Sequence, residues 1–264
     1  MERLLPDLVL DAGNTRLKAA LMGPSGLIRH TVLGAGDAVA LRRWLDGTRP
    51  EAVVLGSVAA ADPAFEQALS GIAPLVVVAG DTPSPLRMAY GTPGTLGVDR
   101  LANAVGAWRM FPGRPVVAVD LGTCITYDVV DGDGTYQGGL ITPGLRMRAS
   151  AMHAFSARLP LVEASDQPPL VGRTTRESLE AGIHHGIRGE LRTLLADLAH
   201  EQADAAVVLT GGDALRFARA LKSGIFAAPL LTLQGLHALL LHHRSLAGNG
   251  PADDGGRAGA AADR

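Results

Sequence analysis

DAGNT at residues 11–15 and DLGTC at residues 120–124 are one turn written twice, the second starting 109 residues after the first. Each puts an aspartate at the end of an apolar run and a glycine two residues later. LVLDA (8–12) leads into the first turn and LKAALMG (17–23) leaves it, after which PSG (24–26) turns the chain into LIRHTVLG. PVVAVD (115–120) leads into the second, ITYDVVDG (125–132) leaves it, and DGDG (131–134) turns the chain into TYQGGLITPG. Apolar runs broken by such turn residues predict strand, hairpin, strand, hairpin, strand in both places. The chain therefore carries the same three-stranded unit twice.

Around these units the pattern alternates between helix and strand. DAVALRRWLDG (37–47), capped by Asp37, reads as a helix, and AVVLGSVAA (52–60) and LVVVAG (75–80) read as strands. RLANAVGAW (100–108) reads as a helix with Asp99 just before it. Residues 174–200 read as one long helix, with Thr174 and Glu177 at capping-box spacing. Its glycines, Gly182, Gly186 and Gly189, cost about 1 kcal/mol each relative to alanine, which points to close helix packing. Then come strand AAVVLTGG (205–212), helix DALRFARAL (213–221), strand APLLTL (228–233) and helix GLHALLLHHR (235–244). This is an α/β chain of two halves, 1–113 and 114–246. Residues 247–264, rich in Gly, Ala and Asp with no large apolar residue, read as a disordered tail.

Of the 264 residues 47% are hydrophobic and 19% charged, enough apolar content for two globular halves. The formal charge of −2, without a basic block, argues against a nucleic-acid partner. No run approaches the ~20 apolar residues that span a bilayer, and the N-terminus is too short and acidic for a secretory signal. The single Cys124 has no disulfide partner. A cytoplasmic location with no membrane partner is the expectation.

The doubled turn suits phosphate chemistry. Gly13 and Gly122 let backbone N–H groups approach phosphate oxygens, and Asn14, Thr15 and Thr123 add neutral donors. Asp11 and Asp120 supply hard oxygen ligands for the cations that accompany a triphosphate, and Lys18 can reach a phosphate as a point charge. Ordinary hairpins use the same residue types, so it is the repetition that favours function. TGGDA (210–214), where a strand meets a helix, offers a third glycine turn with the helix dipole favouring an anion. GTPGTLG (91–97) lacks phosphate-loop spacing, and the eight histidines show no metal spacing.

The two loops and the third turn resemble the superfamily of acetate and sugar kinases, heat-shock ATPases and actin. DAGNTRLK (11–18), GVDR (97–100), DLGTCITYD (120–128) and GGLITPG (138–144), in that order, resemble the type III pantothenate kinases over roughly residues 7–240. The resemblance implies a duplicated actin-like ATPase (ribonuclease H-like) fold, with two mixed-sheet domains around a nucleotide cleft. It implies phosphorylation of pantothenate by ATP with Mg²⁺ and a monovalent cation, K⁺ or NH₄⁺, in a homodimer with substrate pockets near the interface.

On the family's pattern Asp99 is the proton acceptor, and Asp11, Ala12, Gly13, Asn14, Thr15, Arg16, Leu17 and Lys18 form the ATP phosphate loop, with Asp11 also orienting Mg²⁺. Thr123 contacts ATP, and Asp120 holds the monovalent cation. Tyr90, Gly97, Val98, Asp99, Arg100 and Thr175 contact pantothenate, with Arg100 suited to its carboxylate. The chain has Thr-Thr at 174–175 where Asn-Thr is common, and Cys124 where alanine is frequent. Each residue has a plainer alternative: Asp99 or Thr175 as a helix cap, Arg100 as a solvated side chain, Tyr90 as packing. A transcriptional accessory protein, or a kinase for another small molecule, is the alternative at the level of the whole chain.

Overall fold

The computed structural model describes residues 5–58, 62–163, 165–218, 221 and 225–248. In chain order the elements are β1 (Asp7–Ala12), β2 (Arg16–Gly23), β3 (Gly26–Gly34), α1 (Ala38–Leu45), β4 (Val53–Ser57), α2 (Pro63–Ser70), β5 (Leu75–Val78), β6 (Arg87–Met88) and α3 (Val98–Met110). The second half holds β7 (Val116–Leu121), β8 (Cys124–Val130), β9 (Thr135–Pro143), α4 (Leu145–Ala154), α5 (Thr175–Glu201), β10 (Ala206–Thr210), α6 (Ala214–Ala218), β11 (Ile225–Ala227) and α7 (Leu231–Gly248).

One sheet runs β3-β2-β1-β4-β5 and the other β11-β10-β7-β8-β9-β6. Without β6 the second order is the first with each strand replaced by its counterpart. In both, two hairpins build an antiparallel meander and parallel strands then add beside its first strand. The repeat seen in the two turns is thus a repeat of topology.

Two-residue alternation sorts the side chains into three cores. Leu8, Leu10, Leu17 and Leu21 pack outward against Leu41, Leu45, Phe65 and Leu69 of α1 and α2. Val117, Val119, Leu121 and Tyr127 pack outward against α4 and α5. The opposite faces, with Val9, Ala20 and Val54 from one sheet and Val116 and Ala118 from the other, share a middle core with α3 and α7. Strands β1 to β5 form the first sheet and β7 to β11 the second, with two exchanges: β6 joins the second sheet, and α7 packs on β1, β2, β4 and β5.

Helices α3 and α7 cross at very short range. A Cβ on Gly235 would lie 1.8 Å from the Ala102 carbonyl oxygen, and one on Gly106 would lie 2.9 Å from that of Leu231. Gly235→Ala should therefore destabilise by about 1–3 kcal/mol or more, because backbone has to move. A urea midpoint unchanged from wild type would contradict the crossing. Farther along α7, Arg244 donates to both oxygens of buried Asp7 at 2.6 and 3.0 Å, and the His237 ring lies 3.1 Å away. Burial pushes the Asp7 carboxyl up, but these partners outweigh it and hold it below the usual carboxylate range.

Four readings change. APLLTL (228–233) is not a strand: β11 is Ile225–Ala227, and Leu231, Thr232 and Leu233 open α7. Its apolar run is uninterrupted because α7 is buried between two layers, where period cannot separate helix from strand. Gly182 and Gly189 face open space and Gly186 has only Arg148 nearby, so the tight helix contact within the chain falls at Gly106 and Gly235 instead. Asp99 lies inside the first turn of α3, whose N-cap is Gly97. Helices α2 and α4 were not read from sequence; α2 carries a signal in Asp62 and Pro63, whereas α4 starts at Gly144 without a capping side chain. The expected tail lies outside the described residues except for 247–248, which close α7.

Candidate active site

The two turns sit at corresponding sheet positions. Asp11 lies opposite Lys18 in the β1–β2 hairpin and beside Gly56 of β4, while Asp120 lies opposite Thr126 and beside Thr210 of β10. Gly13 N–H donates to the Arg16 carbonyl at 2.9 Å, and Gly122 N–H donates to that of Cys124 at 3.0 Å. Asn14, Thr15, Arg16 and Thr123 are exposed at the turn tips. Lys18 Nζ is 3.1 Å from Asp11 Oδ2. Ala12 packs against the outer core and Leu17 is buried in it, so any part Leu17 takes at the loop is through its backbone.

The third turn closes on the second loop. Asp213 N–H donates to the Leu121 carbonyl at 3.0 Å. Gly211 has φ +92°, and a Cβ there would stand 2.4 Å from Asp120 Oδ1; one on Gly122 would stand 3.2 Å from the same oxygen. Two missing side chains thus form the cradle around this carboxylate. Burial pushes the Asp120 carboxyl up to about 6 against the pull of Lys18 and a bond from Asn103, with the charges of Asp99 and Asp11 adding to the rise. Beside this turn a cavity of about 560 Å³ is lined by His184, His185, Arg188, Gly212, Asp213 and Arg216, among others. His184 is buried and stacked on Phe217 at 5.2 Å.

Helix α3 delivers the remaining groups. Asp99 Oδ1 accepts from its neighbour Arg100 N–H at 2.9 Å, and a Cβ on Gly97 would lie 2.6 Å from that oxygen. Burial pushes the Asp99 carboxyl above its usual value, and the Asp11 charge adds to this. Asp11, Asp99 and Asp120, carried by β1, α3 and β7, are near enough for the Asp11 charge to raise Asp99 and for both charges to raise Asp120. Val98 is buried in the middle core and anchors the turn that presents Asp99.

Arg100 is not a solvated side chain. It is 6% exposed, and its Nε donates to Asp128 Oδ1 at 2.8 Å, with Nη2 at 2.7 Å from the same oxygen. The Tyr136 hydroxyl donates to that oxygen too, at 2.7 Å. Burial pushes the fully buried Asp128 carboxyl up to about 6 in spite of Arg100. Gly139 lies directly opposite Asp128 on β9, and its missing side chain leaves room for the guanidinium. The Arg100 guanidinium carbon lies 6.0 Å from the centre of the Tyr90 ring, which in turn stands edge-on to Tyr136 at 5.8 Å.

Thr175 is placed apart from this group. It is the first residue of α5, while Thr174 is the cap, accepting from Glu177 N–H at 3.2 Å. The Glu177 side chain returns to Arg173 N–H at 2.7 Å, one residue before the reciprocal bond of a full capping box. Thr175 lines an apolar groove of about 740 Å³ between α4 and α5, with Met147, Leu179 and Ile183. That groove is on the outer side of the second sheet, away from Tyr90, Asp99 and Arg100.

Asn103, Asp128, Tyr136 and Thr232 were not singled out from sequence. Asp128 carried a signal, a carboxylate inside the strand run ITYDVV. No three His, Cys, Asp or Glu side chains cluster as a metal site among the described residues, and none of the described helices is long and apolar enough to cross a membrane.

Known proteins resemble this chain in sequence and in fold. The sequence profile of type III pantothenate kinases matches residues 7–197. The type III pantothenate kinase of Porphyromonas gingivalis (strain ATCC 33277) is 37% identical over 238 residues, spanning 89% of this chain and 97% of that protein. Its counterpart in Bacteroides fragilis (strain ATCC 25285) is 36% identical over 235 residues, with the same coverage. Among solved structures, a conserved Baf family protein of Campylobacter jejuni, named for transcriptional activation, superposes with TM-score 0.59 at 19% identity, over 90% of this chain and 99% of that one. The activator of the 2-hydroxyisocaproyl-CoA dehydratase of Clostridium difficile, with bound ADPNP, superposes with TM-score 0.53 at 14% identity over 92% and 98%. At these identities the structures speak for the actin-like ATPase fold alone, and the sequence matches speak for the kinase over the regulatory alternative. The chain belongs to the type III pantothenate kinase family.

Proposed function

We propose that this chain carries out the reaction of its family, ATP-dependent phosphorylation of pantothenate to 4′-phosphopantothenate on the way to coenzyme A, with Asp99 as the base. What supports the reading is that Asp11, Asp99 and Asp120, set beside the glycine turns at 13, 122 and 211, are near enough to raise one another's values in a chain of this family. Phosphoryl transfer needs little covalent chemistry from a protein; it needs alignment, charge neutralisation and an acceptor for the hydroxyl proton. Residues 11–18, with Asn14 and Thr15 exposed at the tip, and Thr123 opposite them hold the phosphates. Lys18 carries positive charge to the same loop.

Asp11 suits Mg²⁺ and Asp120 suits a monovalent cation, since each is a carboxylate at the mouth of a loop. When bound, these cations offset the negative charge of the triphosphate. Asp99 takes the proton from the primary hydroxyl of pantothenate. Gly97 leaves the Asp99 carboxylate its space, and Tyr90 and Arg100 form the adjoining wall of the acceptor pocket. Thr175 joins that pocket only from a second copy of the chain, which the open faces of Gly182 and Gly189 and the groove beside them would accommodate.

A pH profile tests the three-carboxylate site. Asp99 works as the ionised base, and its value is raised, so activity is full at higher pH and falls as pH drops through that raised value. Pantothenate kcat/KM should be level from pH 7 to 8 and fall as pH drops through that raised value, by about tenfold per unit once Asp99 is mostly protonated. A profile with no acid limb above the ordinary carboxylate range would remove Asp99 from the base role.

A further inference from the structure

We infer that Asn103 and Thr232 are positioning residues for this site: Thr232 fixes the Asn103 carboxamide, and Asn103 aims the Asp120 carboxylate into the cradle between Gly122 and Gly211. The inference rests on the reading of Asp120 as a working carboxylate.

Asn103 is 1% exposed, on a helix whose neighbouring residues Leu101, Ala102, Ala104 and Val105 are all buried and apolar. An amide in such a place costs free energy unless both of its ends are bonded. Both are. Its Nδ2 donates to Asp120 Oδ2 at 3.1 Å, and its Oδ1 accepts from the Thr232 hydroxyl at 2.9 Å. The three residues come from β7, α3 and α7, so no local turn chemistry explains the chain of bonds.

The chain has a direction. Turned end for end, the amide would set its oxygen against Asp120 Oδ2, two acceptors about 3.1 Å apart. The ionised carboxylate, which only accepts, therefore sets the direction, and the Thr232 hydroxyl completes it by donating to the amide oxygen that is left. With Oδ2 engaged by Asn103, Oδ1 is the oxygen that lies against Gly122 and Gly211, between the second loop and the third turn. Thr232 is in the first turn of α7, the helix that packs on the first sheet. The bonds therefore also couple the orientation of Asp120 to the half of the molecule that carries Asp11.

The test uses the whole chain with Asn103→Ala, Thr232→Val and Thr232→Ser, with circular dichroism to establish folding. Two readouts are followed: the K⁺ concentration for half-maximal activity, and the K⁺-dependent rise in Tm in the presence of Mg²⁺ and a non-hydrolysable ATP analogue. Asn103→Ala should raise the half-activating K⁺ concentration tenfold or more and flatten the Tm response, with the pantothenate KM within twofold. Thr232→Val should move both K⁺ readouts the same way by several-fold, and Thr232→Ser should restore them. Wild-type K⁺ responses in both Asn103→Ala and Thr232→Val would overturn the inference, as would an equal change in every kinetic constant. If Asn103→Ala does not fold, Thr232→Val against Thr232→Ser decides on the same criteria. Should the wild type show no K⁺ dependence in either readout, the cation role of Asp120 fails by itself. Positioning then stands if Asn103→Ala adds nothing to the kcat/KM loss of Asp120→Asn, and falls if the two losses multiply.

Discussion

Asp99→Asn should lower kcat by about 100- to 10,000-fold, the range that general-base catalysis contributes, while ATP binding stays within a few-fold of wild type. The substitution keeps the volume and the bond from Arg100 N–H, because the amide oxygen can accept where Asp99 Oδ1 now does. What is lost is the proton acceptor, and with it a charge whose value is raised by burial and by Asp11. A kinase activity within tenfold of wild type, with the acid limb of the pH profile in place, would show that another group takes the proton.

Asp128→Ala should be the most destabilising single change near the site. The Asp128 side chain has no exposure, and it is the partner of Arg100 at 2.7–2.8 Å and of the Tyr136 hydroxyl at 2.7 Å. Removing it leaves a buried guanidinium without a counter-charge and a buried phenol without an acceptor, a situation that costs about 3–5 kcal/mol. For a chain of this size that amounts to a fall in Tm of about 6–20 °C, read by calorimetry. The same variant frees Arg100 to move, so the pantothenate KM should rise together with the loss of stability. A Tm within 2 °C of wild type would mean that the pair is already solvated.

The architecture was readable because its determinants are local. The Asp-x-Gly turns at 11–13 and 120–122, the two-residue alternation around them and the caps at Asp37 and Thr174 all lie within a few residues of what they specify. Strand APLLTL failed for the opposite reason: α7 is buried on several sides, so its apolar run has no polar face to reveal the period. The helix glycines illustrate the same limit. Gly182, Gly186 and Gly189 stand out in sequence and touch almost nothing in the chain, while Gly235, where an added Cβ would lie 1.8 Å from the Ala102 carbonyl oxygen, sits unremarked in an apolar run.

Within the site, residues at turn tips were legible and residues behind them were not. Asn14, Thr15 and Thr123 announce themselves by type and place. Asn103 and Thr232 lie 129 positions apart, and only the fold makes them a pair. Arg100 reverses its simplest reading: on a first helical turn it should be solvated, yet α3 is enclosed between two sheets and Asp128 is waiting on β8. Burial of α3 is a tertiary fact that no window of residues 97–110 contains.

The measurement that tests the central claim most directly is product identification. The wild-type chain is incubated with ATP, Mg²⁺, K⁺ and pantothenate, and the mixture is followed by phosphorus NMR and mass spectrometry. One cleft assembled from both loops and Asp99 predicts that ADP and 4′-phosphopantothenate appear in equal amounts, with no ATP consumed when pantothenate is left out. ADP release that ignores pantothenate, or no phosphorylated pantothenate at all under these conditions, would contradict it.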